Sequence, residues 1–352
     1  MQEYIALDVH KHYTFAERER VDTQKVAHYR IEHSRGQIRR FLAGVEPGTT
    51  VALEATGNWY WVVDEIEEAG MKPALVHPRK AKVMLGCINK TDKLDVHGMN
   101  RLQRTGTLPT VWIAPAETRD LRDLPRTRMF LVDQRTQLKN RIQATLAKYA
   151  LTVSGCSDPF GSNARRLIDK RVGELPEHTR LVTAELLQQL DLLTERIEAQ
   201  EKRIKGLVRM TADMTRLTTM PGIGPILAIV VALEVGDITR FPSAENFASY
   251  AGTAPRVKAS GGKVRIGRLR SDVNHYLKWA YIEAANCVCI HQRNYPFRHV
   301  TQLYKRIKGR KGHEKAIGAV ARHLAEATFY VLSRQQDYRD PALNKRVVTT
   351  GT

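Results

Sequence analysis

Four carboxylates in the first hundred residues occupy positions where a carboxylate needs a reason. Asp8 lies in an apolar, strand-like run, with Ile5, Ala6 and Leu7 before it and Val9 after it. Glu54 stands near the end of a second such run, TVALEA at Thr50–Ala55, just before a turn at Ala55–Asn58. Asp92 and Asp95 are three residues apart, so on a helix they share a face. A carboxylate in an apolar strand is costly unless it is neutralised, and four acids brought together repel one another without a cation. Such a set suits metal-dependent phosphoryl transfer, in which two metals about 3.5–4 Å apart stabilise the attacking and leaving oxygens. Mg²⁺, which takes hard oxygen ligands and keeps several waters, is the expected cofactor. Each acid has an ordinary alternative: Asp8 as a strand-end turn residue, Glu54 as the partner of a lysine, Asp92 as a helix N-cap. The set as a whole is harder to explain in that way.

A second constellation lies at Lys258–Gly267, KASGGKVRIG. Ser260 precedes Gly261 and Gly262, and Lys258, Lys263, Arg265 and Arg268 flank it. A glycine hairpin turn accounts for the two glycines without any function. A serine nucleophile needs activation, and no His or Asp pairs with Ser260 in the sequence. The flanking cations offer phosphate binding and stabilisation of a phosphoryl transition state. Upstream, Met220–Pro225 (MPGIGP) is a tight turn before an apolar helix. Gly222 and Gly224 there resemble the turn of a helix-hairpin-helix, whose backbone N–H groups face a phosphate. The alternative is a plain helix–helix turn; no G-x-G-x-x-G or G-K-[ST] fingerprint is present.

The elements that carry these residues follow from periodicity. Tyr4–His10, Tyr13–Glu19 and Lys25–Glu32 read as strands, and Ser34 as the cap of a helix running to about Ala43. Thr50–Ala55 and Pro73–His77 read as core strands. Helices are expected over Asn58–Ala69, with Gly70 as its stop, from Pro78, and from about Leu94. A meander of strands followed by alternation with helices suggests a mixed sheet of the ribonuclease-H kind, although periodicity does not choose it over other α/β sheets. The middle reads as two long helices, Glu117–Ala150 and about Glu177–Met210, with Ser154–Ser162 as a polar turn. In the second, Leu186, Leu190, Leu193, Ile197, Gln200, Ile204 and Leu207 step by 4 and 3, a coiled-coil seam with one polar position. The seam serves either self-association or an intramolecular helical hairpin. The expected division is 1–115 for the α/β domain, 116–212 for the helical middle, 213–335 for a mainly α C-terminal domain and 336–352 for a flexible tail.

The 352 residues carry a formal charge of +19. From Thr253 to His313 there are 14 Lys or Arg against two acids, Asp272 and Glu283, so this stretch holds +12 of it. Aromatic residues interleave it: Tyr276, Trp279, Tyr281, Tyr295, Phe297 and Tyr304. Nucleic acid is the expected partner rather than a membrane. Cys87, Cys156, Cys287 and Cys289 are too few and too badly spaced for a zinc site or a disulfide framework. No apolar run is long enough to span a bilayer, and the first residues alternate like a strand rather than a signal peptide. A cytoplasmic protein is expected.

The segments ALDVHK, LEATGNW, VHPRKAK and KTDKLDVHGM resemble the DEDD transposases of the IS110 insertion-sequence family. MPGIGPILA, FPSAENFASYAGTAP and SGGKVRIG are similar to that family's second transposase domain, and the segments occur in the family's order along nearly the whole chain. The resemblance implies a RuvC-like first domain with Asp8, Glu54, Asp92 and Asp95 as metal ligands. It implies that Ser260 is a catalytic serine that attacks a DNA phosphate and forms a 5′-linked covalent intermediate. It further implies guidance by a structured bridge RNA pairing with donor and target DNA, in a tetramer where one subunit's serine completes another's acidic site. Such a protein would act at the prokaryotic nucleoid. The chain departs from the family where Lys-Gly-Asn often follows Gly267: here Arg270-Ser271-Asp272-Val273-Asn274 stands, and a later Leu-Arg is Leu277-Lys278. These positions, Arg270 among them, are expected to contact nucleic acid. Two other readings stay open: a RuvC-like junction nuclease using metal-activated water, and a non-enzymatic nucleic-acid-binding scaffold.

Overall fold

A computed structural model describes residues 2–86, 91–153, 158–269 and 272–342. The chain divides into two compact units, Met1–Ala116 and Glu117–Thr352. The expected separate helical middle is therefore continuous with the C-terminal part.

The first unit is built on one mixed sheet. Its strands are β1 (Glu3–Val9), β2 (Tyr13–Arg20), β3 (Lys25–Glu32), β4 (Thr50–Glu54) and β5 (Lys72–Val76), in the order β3-β2-β1-β4-β5. β1, β2 and β3 pair antiparallel; β4 pairs parallel with β1 and with β5. The helices are α1 (Gln37–Leu42), α2 (Trp59–Glu68), α3 (Pro78–Leu85) and α4 (Asp92–Arg104). Alternation along β1 and β4 sorts the two faces. Ile5, Leu7, Val51 and Leu53 pack with Ile38, Leu42, Val62, Val63 and Ile66 of α1 and α2. Ala6 and Ala52 face Val96, Met99 and Leu102 of α4 on the other side.

The cap expected at Ser34 is replaced by a contact distant in sequence. α1 starts after Gly36, which has φ +88°, and the buried Glu65 of α2 accepts the backbone N–H groups of Gly36, Ile38 and Arg39. A carboxylate at a helix N-terminus satisfies orphan donors and favours the dipole, so no local side-chain cap is needed.

The second unit is mostly helical: α5 (Ala116–Lys148), α6 (Ser162–Gly173), α7 (Glu177–Leu207), α8 (Ala212–Thr218), α9 (Pro225–Val235), α10 (Ala244–Tyr250), α11 (His275–Ile290), α12 (His299–Lys311) and α13 (His313–Ser333). A two-stranded hairpin, β6 (Pro255–Ser260) and β7 (Lys263–Leu269), lies between α10 and α11. Residues 158–161 are turn, as expected, 154–157 lie outside the described residues, and an additional helix, α6, follows the turn from Ser162 before α7 begins.

The seam of α7 is used within the chain along part of its length. Leu187 and Leu190 pack with Ile142 and Leu146 of α5 and with Ile168 and Val172 of α6, and Gln200 donates to the Leu124 carbonyl of α5. Leu187 rather than Leu186 is the buried member, and Leu207 is exposed. The expected tail begins with docked residues: Asp340 is buried and accepts the backbone N–H of His299, and the Tyr338 N–H donates to Thr219. The remainder of that segment, 343–352, lies outside the described residues.

Candidate active site

The parallel register Leu7↔Leu53 makes Asp8 and Glu54 the next residues along adjacent strands. Both belong to the alternation that faces α4, and α4 brings Asp92 and Asp95 in its first turn. Thr91 caps this helix by accepting the N–H of Leu94. Asp92 is therefore the first helical residue, and its carboxylate is not used as the N-cap.

Asp8 is 5 % exposed. Burial pushes its carboxyl up to about 6; His10 draws it down, while the charges of Glu54, Asp92 and Asp95 push it further up. The other three expected acids are thus near enough to Asp8 for their charges to act on it. Asp92 is half-buried and accepts a hydrogen bond from the Tyr13 hydroxyl at 3.0 Å. That bond, chiefly, raises the Tyr13 pKa above its ordinary value, so the phenol stays a donor. Arg30 of β3 stacks on the Tyr13 ring, 3.6 Å from its centroid.

Two members of this site, His10 and Tyr13, are not foreseen from the sequence. His10 Nε2 stands 3.3 Å from Asp8 Oδ2 and 3.0 Å from Asp92 Oδ2. The spacing i, i+2 from Asp8 was the available signal, because it keeps both residues on one side of an extended chain. The loop after Glu54 holds this histidine: Thr56 donates to Asn58, whose amide donates to the His10 carbonyl at 2.7 Å. Asp8, His10 and Asp92 each direct a possible ligand atom into a space where these atoms lie within 4.8 Å of one another. Two carboxylates and an imidazole are suitable donors for a divalent cation, so the residues present fit the expected metal.

Ser260 belongs to the other unit. It is exposed at the end of β6, paired with Lys263 across a two-residue turn whose glycines, Gly261 and Gly262, have φ +55° and +73°. Two consecutive positive φ angles define the tight hairpin turn that matches strand twist and demand glycine. The register also pairs Lys258 with Arg265, which puts Ser260, Lys263 and Arg265 on one hairpin face. Lys263 and Arg265 are exposed. Arg268 lies in β7, and Arg270 lies outside the described residues.

Gly222 and Gly224 part company. Gly222 has φ +79°, and a Cβ there would lie 2.2 Å from the Ala284 carbonyl oxygen of α11. Close approach of two backbones therefore requires this glycine. Gly224 precedes α9 with open space around its Cα. Leu277, which keeps the family's leucine, is buried in the core, and the departing Lys278 beside it is part-exposed. Asn274 caps α11 by accepting the N–H groups of Tyr276 and Leu277, and its amide donates to the buried Glu234.

The fold and the acidic site agree with what comparison finds. Residues 5–151 match the family model of the DEDD transposases of IS110, and residues 214–302 match that of the IS116/IS110/IS902 transposases. The class is thus that of DNA-acting transposases, and the chain belongs to the IS110 family. A Pseudomonas aeruginosa protein described as a "Probable family 20 transposase" is 29% identical over 330 residues, covering 91% of this chain and 94% of its own. The transposase for insertion sequence element IS1111A of Coxiella burnetii is 26% identical, covering 87% of this chain and 83% of its own. The four acids fall within the first matched segment and Ser260 within the second. No helix among the described residues is long and apolar enough to cross a membrane.

Proposed function

We propose that this transposase excises and inserts its DNA element by serine-dependent strand exchange, using a RuvC-like acidic domain and Ser260 of the C-terminal hairpin. The observation that carries the reading is Asp8: a buried carboxylate, beside three further acids, at the end of the central strand β1. The strand order β3-β2-β1-β4-β5, antiparallel across β1 to β3 and parallel beyond, supports the RuvC-like assignment.

Asp8, Glu54, Asp92 and Asp95 would hold Mg²⁺, which when bound supplies charge stabilisation to the phosphoryl oxygens. Tyr13 orients Asp92. Ser260 Oγ forms a bond to a DNA phosphorus while the bond from phosphorus to the 3′ oxygen breaks. The serine proton leaves to solvent and the departing oxygen takes one up, giving a 5′-phosphoserine diester and a free 3′ hydroxyl. Attack by the 3′ hydroxyl of another strand reverses the displacement and restores the serine. Lys258, Lys263, Arg265, Arg268 and Arg270 hold the backbone phosphates, with the Gly222–Gly224 turn as a further contact. A structured bridge RNA supplies the pairing to donor and target DNA, which accounts for a strongly basic chain with no evident base-reading motif. The working form is a homo-oligomer, a dimer or tetramer, at the prokaryotic nucleoid.

Trapping the intermediate tests this. Wild-type protein with donor DNA whose scissile phosphodiester is intact should give a denaturation-resistant adduct. Ser260→Ala should lose the adduct and strand exchange while binding DNA normally. Full recombination by Ser260→Ala would overturn the serine assignment. It would favour the junction nuclease with metal-activated water, a reading supported by how completely turn geometry explains Gly261 and Gly262.

A further inference from the structure

We infer that His10 is a nitrogen ligand in the acidic site, through which the site binds Mn²⁺ more tightly than Mg²⁺. This rests on the metal-binding reading above and adds to it a residue outside the four acids.

Three observations support the assignment. First, Asp8 Oδ2, His10 Nε2 and Asp92 Oδ2 form a compact group, with His10 Nε2 at 3.3 and 3.0 Å from the two oxygens. Neighbouring ligands at right angles, with bonds of about 2.1–2.2 Å, stand about 3.0–3.1 Å apart, so both separations suit adjacent positions around one ion.

Second, His10 Nε2 is shielded from solvent and, close as it is, makes a hydrogen bond to neither oxygen. An imidazolium serving only as a counter-ion would align its N–H with one carboxylate. A nitrogen this close to two carboxylate oxygens and hydrogen-bonded to neither is placed instead to share a third centre with them.

Third, the histidine is held from behind. Its carbonyl accepts from Asn58 and its N–H donates to the Tyr13 carbonyl. Its ring packs on Tyr13, 4.6 Å between centroids, and the same tyrosine donates to Asp92. Outer contacts of this kind orient metal ligands and carry part of the affinity.

Imidazole suits transition metals, whereas Mg²⁺ prefers carboxylate and water. One nitrogen among oxygens therefore tilts the site toward Mn²⁺ without removing its affinity for Mg²⁺.

Mn²⁺ titration of the full-length protein, followed by electron paramagnetic resonance, tests this directly. The wild type should show a ¹⁴N coupling from a coordinated imidazole, and Mg²⁺ should displace Mn²⁺ only in large excess. His10→Ala should lose that coupling and weaken Mn²⁺ by about tenfold or more, with Mg²⁺ affinity changing less than about threefold. Circular dichroism of the variant checks that it is folded, and His10→Gln provides a second variant with similar bulk. Mn²⁺ bound in an Asp8-dependent manner without a nitrogen coupling overturns the His10 assignment alone. Absence of any Mn²⁺ or Mg²⁺ binding to the wild type overturns the metal reading together with it.

Discussion

The Tyr13 hydroxyl donates to Asp92 Oδ2 at 3.0 Å, joining the second strand of the sheet to the first residue of α4. The bond holds the carboxylate at the edge of the acidic site, through the same oxygen that faces His10 Nε2. Tyr13→Phe keeps the ring under Arg30 and removes only the donor. Divalent-cation affinity is expected to fall by about tenfold, the low end for loss of an outer-shell partner. Isothermal titration with Mn²⁺ measures it, and an affinity equal to wild type would remove Tyr13 from the site.

Asp8 sets a pH dependence whose sign is fixed by the direction of its shift. Its folded pKa, about 6, lies above the ordinary 3.8. The folded state therefore binds the proton more tightly, and the ionised carboxylate destabilises the metal-free protein. That cost is absent below the unfolded value, grows as pH rises from about 4 to about 6, and is constant above. At pH 7 it is on the order of 3 kcal/mol. Asp8→Asn, unfolded by denaturant in the presence of chelator, should be more stable than wild type at pH 7 and lose that advantage toward pH 4.5. Parallel stability curves for the two proteins would refute the assignment.

The two glycines of the MPGIGP turn should respond differently. Gly222→Ala combines positive φ with a Cβ pressed on the Ala284 backbone, and is expected to cost more than about 3 kcal/mol. Gly224→Ala meets open space at φ −86°, and should stay within about 0.5 kcal/mol of wild type. Thermal unfolding separates the two. A drop in DNA affinity for folded Gly224→Ala would support a phosphate contact at this turn; unchanged affinity would remove it from the interface.

Lys263 and Arg265 are exposed on the Ser260 face of the hairpin, so replacing both with alanine should leave the fold intact. If each neutralises one phosphate of duplex DNA, the slope of log K against log salt should become shallower by about 1.8. Fluorescence anisotropy over a range of KCl concentrations reads the slope. Identical slopes for variant and wild type would place the contacts elsewhere.

Much of the first unit was legible because its signals are local. Asp8 and Glu54 interrupt apolar strands, and Asp92 and Asp95 fall on one helix face, so their types and spacing expose them. The Ser-Gly-Gly turn announces a hairpin because only glycine takes two positive φ angles easily. His10 and Tyr13 gave no comparable signal. Their meaning depends on Asp92, some eighty residues away, and on an Asn58 side chain that closes over the His10 carbonyl. Local patterns do not record which distant group a polar side chain meets.

The same limit explains the displaced helix start and the α7 seam. Ser34 is a good cap in isolation, yet Glu65 provides the acceptor because α2 packs beside α1. The 4-3 stepping of α7 marks an apolar stripe but cannot name its partner; packing on α5 and α6 selected Leu187 over Leu186. By itself the sequence determined the element types, the acidic set and the basic C-terminal stretch, all consequences of residue chemistry and short-range periodicity. Tertiary structure alone decided that Asp8, His10 and Asp92 share one space, because that proximity arises from parallel pairing of β1 with β4 and the docking of α4 on their common face.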